Sequence, residues 1–194
     1  SKTTKSTHCY STRTTKIKHF TKFALRLSLV SSCSNDRVLI QWKTKITTAA
    51  AGGPYEITIS DGNPITIKNI LIGEVWLCSG QSNMEMPVKG FKDQPILNSN
   101  DALFNSANNN IRLYTVPRSV QRLPQDTSKN SSWKPAEPVG VSDFSATAYF
   151  FGKILYEQLK VPIGLVNISY GGSPVEAFMD EATLKNFPEI KVPG

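Results

Sequence analysis

The chain has 194 residues, with 22 Lys and Arg against 15 Asp and Glu, a formal charge of +7. The excess is local: residues 1–45 hold ten basic residues and one acid, while residues 46–194 hold twelve basic and fourteen acidic residues. This excludes a basic nucleic-acid-binding surface spread over the whole chain, and no apolar run is long enough for a membrane-spanning helix.

Residues 1–36 are rich in Ser, Thr and Lys and read as a basic, disordered tail. Within them Lys16, Lys18 and Lys22 precede Phe23-Ala24-Leu25-Arg26-Leu27-Ser28-Leu29-Val30, a degenerate export-signal pattern that Arg26 interrupts. Residues 37–72 form a β-rich segment. Val38 to Trp42 is one strand, Tyr55 to Ile59 alternates with period two, and Asp61-Gly62-Asn63-Pro64 is a turn before Ile65-Thr66-Ile67. Such a hairpin must pack on something else.

Residues 73–194 change pattern. Val75-Trp76-Leu77-Cys78 is a continuous apolar run, as expected for a strand buried on both faces, with Trp76 in the core and Cys78 a buried thiol. Cys9, Cys33 and Cys78 form no CxxC pair and no Cys/His cluster, so no metal site is expected. Residues 96–107 suit a helix, and Ile111 to Val116 suits a strand that stops at Pro117. Residues 117–142 are polar and proline-bearing, as in a long surface loop. Phe144, Ala148, Phe151, Leu155 and Leu159 fall on one helical face, with Ser142 or Asp143 as N-cap. Ile163 to Ile168 is a second buried strand, and Pro174 is placed for the first turn of a following helix. Strands alternating with helices argue for an α/β fold with a parallel sheet.

Two strand-to-helix junctions carry the chemistry. In Cys78-Ser79-Gly80-Gln81-Ser82-Asn83-Met84, Gly80 permits a sharp turn and Ser82 lies where free N–H groups favour negative charge. A serine nucleophile needs that placement, with its hydroxyl exposed beyond the carboxyl end of the sheet. The alternative is that Ser79 and Ser82 only shape a turn and cap a helix. In Ser169-Tyr170-Gly171-Gly172-Ser173-Pro174 the paired glycines allow close backbone approach, so Gly171 or Gly172 is a second oxyanion donor or part of a plain tight turn.

At these residues the chain resembles a known family. Gly73-Glu74-Val75-Trp76-Leu77-Cys78-Ser79-Gly80-Gln81-Ser82-Asn83-Met84-Glu85-Met86 closely resembles the first block of sialate O-acetylesterases, of the SGNH (GDSL-like) hydrolase superfamily. Ala51 to Tyr55, Trp133-Lys134-Pro135, Phe144 to Gly152 and Val161 to Met179 also fit, so the resemblance runs from about Trp42 to Gly194. It implies a flavodoxin-like three-layer α/β/α domain that hydrolyses O-acetyl esters on sugars, typically sialic acid, without a metal or cofactor. It also implies Ser82 as nucleophile, the N–H groups of Ser82 and of Gly172 or Gly171 as oxyanion donors, and Gln81 and Asn83 beside the substrate, with Trp133 in the loop as a candidate for stacking on a sugar ring. The partner expected is an O-acetylated sugar, with no nucleic acid and no membrane-spanning segment, and the location is periplasmic or extracellular.

The family's Asp-x-x-His block has no match in this sequence. Both histidines, His8 and His19, lie in the basic stretch, so residues 20–194 contain none. A serine at its free pKa is a weak nucleophile without an adjacent base. The chain is therefore expected to hold the first half of a catalytic domain and to be inactive alone. Two other functions fit the residues less fully: a non-catalytic carbohydrate-binding relative, and a binder of nucleic acid or anionic membrane acting through residues 1–45.

Overall fold

The computed structural model describes residues 15–16, 22–33, 36–60, 64–119, 125, 128 and 131–190. It divides into two compact units, residues 1–50 and 51–194. The first is an antiparallel sheet of β1 (Thr15–Lys16), β2 (Lys22–Cys33) and β3 (Asp36–Thr47), in that spatial order. β2 stands where the composition suggested a tail. The cause is visible in the sequence: Phe23, Leu25, Leu27 and Leu29 alternate with period two. The register sets them opposite Ile46, Thr44, Trp42 and Ile40 of β3.

The second unit begins with a hairpin of β4 (Gly52–Ile59) and β5 (Ile65–Ile72), as the alternating isoleucines imply. Ile57 lies opposite Ile67 and Ile59 opposite Ile65; the turn residues 61–63 lie outside the described residues. Then follow β6 (Glu74–Gly80), α1 (Ser82–Glu85), α2 (Ser99–Phe104), β7 (Asn108–Thr115), β8 (Lys134–Ala136), α3 (Pro138–Ser142), α4 (Ala146–Leu159) and β9 (Ile163–Ser169). A 3₁₀ turn at Val175–Phe178 and α5 (Glu181–Leu184) close the described chain. The sheet order is β6-β9-β7-β8, with β6, β9 and β7 parallel and β8 antiparallel on β7. The fold is α/β, as expected. β8 and α3 fall within the expected loop, α2 is shorter than the expected helix, and the helix expected after Pro174 is a single 3₁₀ turn.

β9 is the strand buried on both faces: Ile163, Gly164 and Leu165 are all buried. Leu165 meets Gly152 of α4 on one face, and Trp133 covers Gly164 on the other. β6 departs from expectation. It pairs with β9 along one edge only among the described residues, and Val75, Trp76 and Leu77 are 37%, 41% and 65% exposed. A continuous apolar run marks potential for burial on two faces, yet an edge strand has neighbours on one side. Among the described residues Trp76 is therefore half-exposed rather than in the core, and it packs edge-on against the equally exposed Phe151, with ring centroids 5.1 Å apart.

α4 is also turned relative to expectation. Ala148, Tyr149 and Gly152 are buried, while Phe151 and Leu159 are exposed. Two facts set this rotation. The N-cap is Ser145, whose hydroxyl accepts the Ala148 N–H at 3.2 Å, two or three residues beyond the expected cap. Gly152, lacking a side chain, lets the helix backbone approach Leu165. Tyr149 and Leu165, with Ile111, Leu113, Val141, Phe144 and Ile163, make the core.

The approach at Gly152 makes a prediction. A Cβ there would lie 2.6 and 2.9 Å from the two Leu165 methyl carbons. Alanine gains about 1 kcal/mol of helix propensity over glycine, whereas overpacking costs about 1–3 kcal/mol. Gly152→Ala is thus expected to give no net stabilisation, and Gly152→Val a loss of about 2 kcal/mol, measured from urea unfolding midpoints. A stabilised Gly152→Val would contradict the packing described.

Candidate active site

β6 and β9 run parallel, with Gly80 opposite Ser169. Both turns therefore leave the sheet at the same end, the carboxyl end where α/β folds present ligand sites. The turns are bonded to each other: the Tyr170 N–H donates to the Gly80 carbonyl at 3.1 Å. Gly80 carries φ +156°, which its missing side chain permits. Ser82 starts α1 and is exposed, flanked by exposed Gln81 and Asn83. α1 is one turn long, so its macrodipole is small; its Met84 and Glu85 N–H groups both donate to the Gln81 carbonyl, at 3.0 and 2.9 Å, which leaves the Ser82 N–H at the start of the turn.

That short helix is held by α4. The Thr147 hydroxyl donates to the Asn83 carbonyl at 3.1 Å, and the Ser145 hydroxyl lies 3.4 Å from the Met84 sulfur. The segment after α1 is bonded to the chain that leads into α4, through Ala146 N–H to Met86 O at 2.8 Å and Val88 N–H to Phe144 O at 3.0 Å. Ser82 therefore sits on a turn fixed at both ends.

The second junction carries its own constraints. Gly172 takes φ +80°, the left-handed region that favours glycine. A Cβ on Gly171 would meet the Glu85 carboxylate and lie 3.8 Å from the Ser82 Cα, which places this turn directly beside the nucleophile candidate. Glu85 Oε2 accepts the Gly171 N–H, and Glu85 Oε1 pairs with Arg118. The Arg118 guanidinium lies 5.1 Å from the Tyr170 ring centroid. The Gly171 N–H is thus engaged, while around a Gly172 side-chain position there is open space.

A cavity of about 450 Å³ opens next to this network, lined among others by Glu85, Lys92, Thr115, Arg118, Asn167 and Ser169. Ser82 is not among the described residues that line it, whereas Glu85, one helical turn on, is. Asn167 is 5% exposed, and its Oδ1 has no hydrogen-bond partner among the described residues. Cys78, opposite Asn167 on β6, is a buried thiol as expected, and burial pushes its pKa up.

Of the residues singled out in the sequence, Ser82, Gly171 and Gly172 are brought together, with Gln81 and Asn83 on their rim. Trp133 is not. It lies against Tyr114 and over Gly164, about 16 Å of strand from Ser169. Glu85, Arg118 and Asn167 were not read from sequence as site residues. Asn167 carried the clearest signal, a polar residue inside the apolar run Ile163 to Ile168.

No protein-family model matches the chain. It is 36% identical to the sialate O-acetylesterase of Mus musculus, over 74% of this chain and 28% of the relative. It is 35% identical to the sialate O-acetylesterase of Homo sapiens, over 74% and 29%. A crystal structure of a carbohydrate acetylesterase from Xanthomonas citri superposes with a TM-score of 0.76 at 30% identity, covering 90% of this chain and 44% of that one. The resemblance to sialate O-acetylesterases read from the motifs is therefore shown in sequence, and the fold is shared with a carbohydrate acetylesterase. The chain spans under a third of the length of these curated relatives.

An unpaired buried acceptor costs about 1–3 kcal/mol, and an apolar isostere removes that penalty. Asn167→Leu is accordingly expected to leave stability unchanged or raise it by about 1 kcal/mol, read by thermal unfolding. A clear loss would show that the Oδ1 is bonded.

Proposed function

We propose that the natural polypeptide carrying this sequence is a carbohydrate esterase that removes O-acetyl groups from sugars, sialic acid among them, with Ser82 as nucleophile. One observation carries the proposal: an exposed serine and a glycine turn meet at one sheet end, bonded through Tyr170 N–H and the Gly80 carbonyl. The names of the relatives and of the structural neighbour support the same reading.

In this reaction the Ser82 Oγ attacks the acetyl carbonyl carbon, and its proton passes to a base. The tetrahedral oxyanion faces the N–H groups of Ser82 and of the glycine turn. Each such donor is typically worth about 10²–10³ in rate. Collapse breaks the bond to the sugar oxygen, which takes the proton, and water then releases acetate from the acyl-serine. Gln81 and Asn83 flank Ser82 and contact the sugar. Trp133 takes no part, because it lies at the opposite end of β9. Residues 20–194 contain no histidine, so the base comes from outside them in this scheme.

The test is acetate release from O-acetylated sialic acid and other acetylated sugars by the natural polypeptide. Ser82→Ala is expected to remove the activity, on the order of 10⁶-fold in kcat, while unfolding at the same temperature as the parent. Hydrolysis that survives Ser82→Ala sinks the proposal. Sugar binding without any hydrolysis by the parent would favour a non-catalytic carbohydrate-binding protein instead.

A further inference from the structure

Glu85 spends both carboxylate oxygens on a link between the two turns. It is carried on the helix that begins with Ser82, yet Oε2 accepts from Gly171 on the other turn, and Oε1 holds Arg118, which in turn lies against the Tyr170 ring. Its side chain is only 20% exposed. A charge-assisted bond of this kind is stronger than a neutral one and is weakened less by water when partly buried. The parallel register alone fixes where the turns leave the sheet. It does not fix the peptide planes after Ser169, and an oxyanion donor is useful only with its N–H aimed at one point.

From this we propose that Glu85 is a positioning residue: by holding the Gly171 N–H and Arg118, it orients the glycine turn so that Gly172, and not Gly171, supplies the second oxyanion donor beside the Ser82 N–H. The inference rests on the esterase reading for its catalytic half; the clamp itself does not. Three features agree with it. The Gly171 N–H is already used. Gly171 has no room for a side chain without moving the Glu85 carboxylate, whereas the space at Gly172 is open. Gly172 also takes φ +80°, a left-handed conformation that glycine adopts without strain, as a turn at this point requires.

The experiment compares Glu85→Ala and Glu85→Gln with the parent in the natural polypeptide, with two independent readouts. The first is the amide proton resonance of Gly171, which a carboxylate acceptor holds downfield. It is expected to move upfield in Glu85→Ala and less in Glu85→Gln, whose amide oxygen still accepts. The second is the split between kcat and KM. Glu85→Ala is expected to lower kcat by about 10²-fold, the loss of roughly one oxyanion donor, with KM little changed, and Glu85→Gln to restore part of the loss. An unmoved Gly171 resonance overturns the clamp. A moved resonance with an unchanged kcat overturns its catalytic role. A parent without esterase activity overturns the hydrolase reading and that role together, even where the Gly171 resonance answers to Glu85, so the two failures are told apart.

Discussion

The parallel pairing of β6 on β9 is the constraint on which the site depends. Gly80 faces Ser169 because the strands run the same way and start level, Glu74 beside Ile163. Reversed, the two turns would stand about 20 Å apart, the length of seven strand residues. Parallel pairing demands a long crossover, and the chain between β6 and β9 supplies it with β7, β8 and α4. What that crossover builds is also what holds Ser82. The start of α4 binds α1 through Thr147 and Ser145, and α4 itself is seated on β9 by Gly152 against Leu165. The serine, its helix and the glycine turn are thus three parts of one packing unit.

The sequence made β9 and the two turns legible because each carries an unambiguous local signal. Ile163 to Ile168 is an apolar run with Gly and Asn as its only interruptions, and Gly80, Gly171 and Gly172 stand where the chain must turn. The isoleucine alternation around residues 57–67 gave the hairpin for the same reason. β6 shows where local signals stop. Its apolar run predicts burial on both faces, but how many neighbours a strand has is a property of the sheet and not of the strand. The rotation of α4 was hidden similarly. Counting large apolar residues chose Phe151 and Leu159, whereas contact with β9 is made where the helix is smallest, at Gly152. At β2 the composition of Ser and Lys outweighed an alternation that was present all along.

Glu85 and Arg118 illustrate a deeper limit. Thirty-two residues separate them, and each alone is an ordinary surface charge. Only the pairing of the strands brings Arg118, just past β7, to a carboxylate on α1 and an aromatic ring just past β9. An isolated exposed ion pair contributes little. This one differs because its second oxygen is committed to a backbone N–H. Asn167, whose Oδ1 has no hydrogen-bond partner among the described residues, lies on the wall of the neighbouring cavity, beside Arg118 and Glu85.

The most direct measurement is the crystal structure of the natural polypeptide after reaction with a phosphonate that bonds to the Ser82 oxygen and places an oxygen where the oxyanion would form. That oxygen is expected within about 2.7–3.1 Å of both the Ser82 and Gly172 nitrogens, with the Gly171 N–H still on Glu85. A phosphonyl oxygen held by Gly171 with Glu85 displaced, or an adduct on a residue other than Ser82, would contradict it.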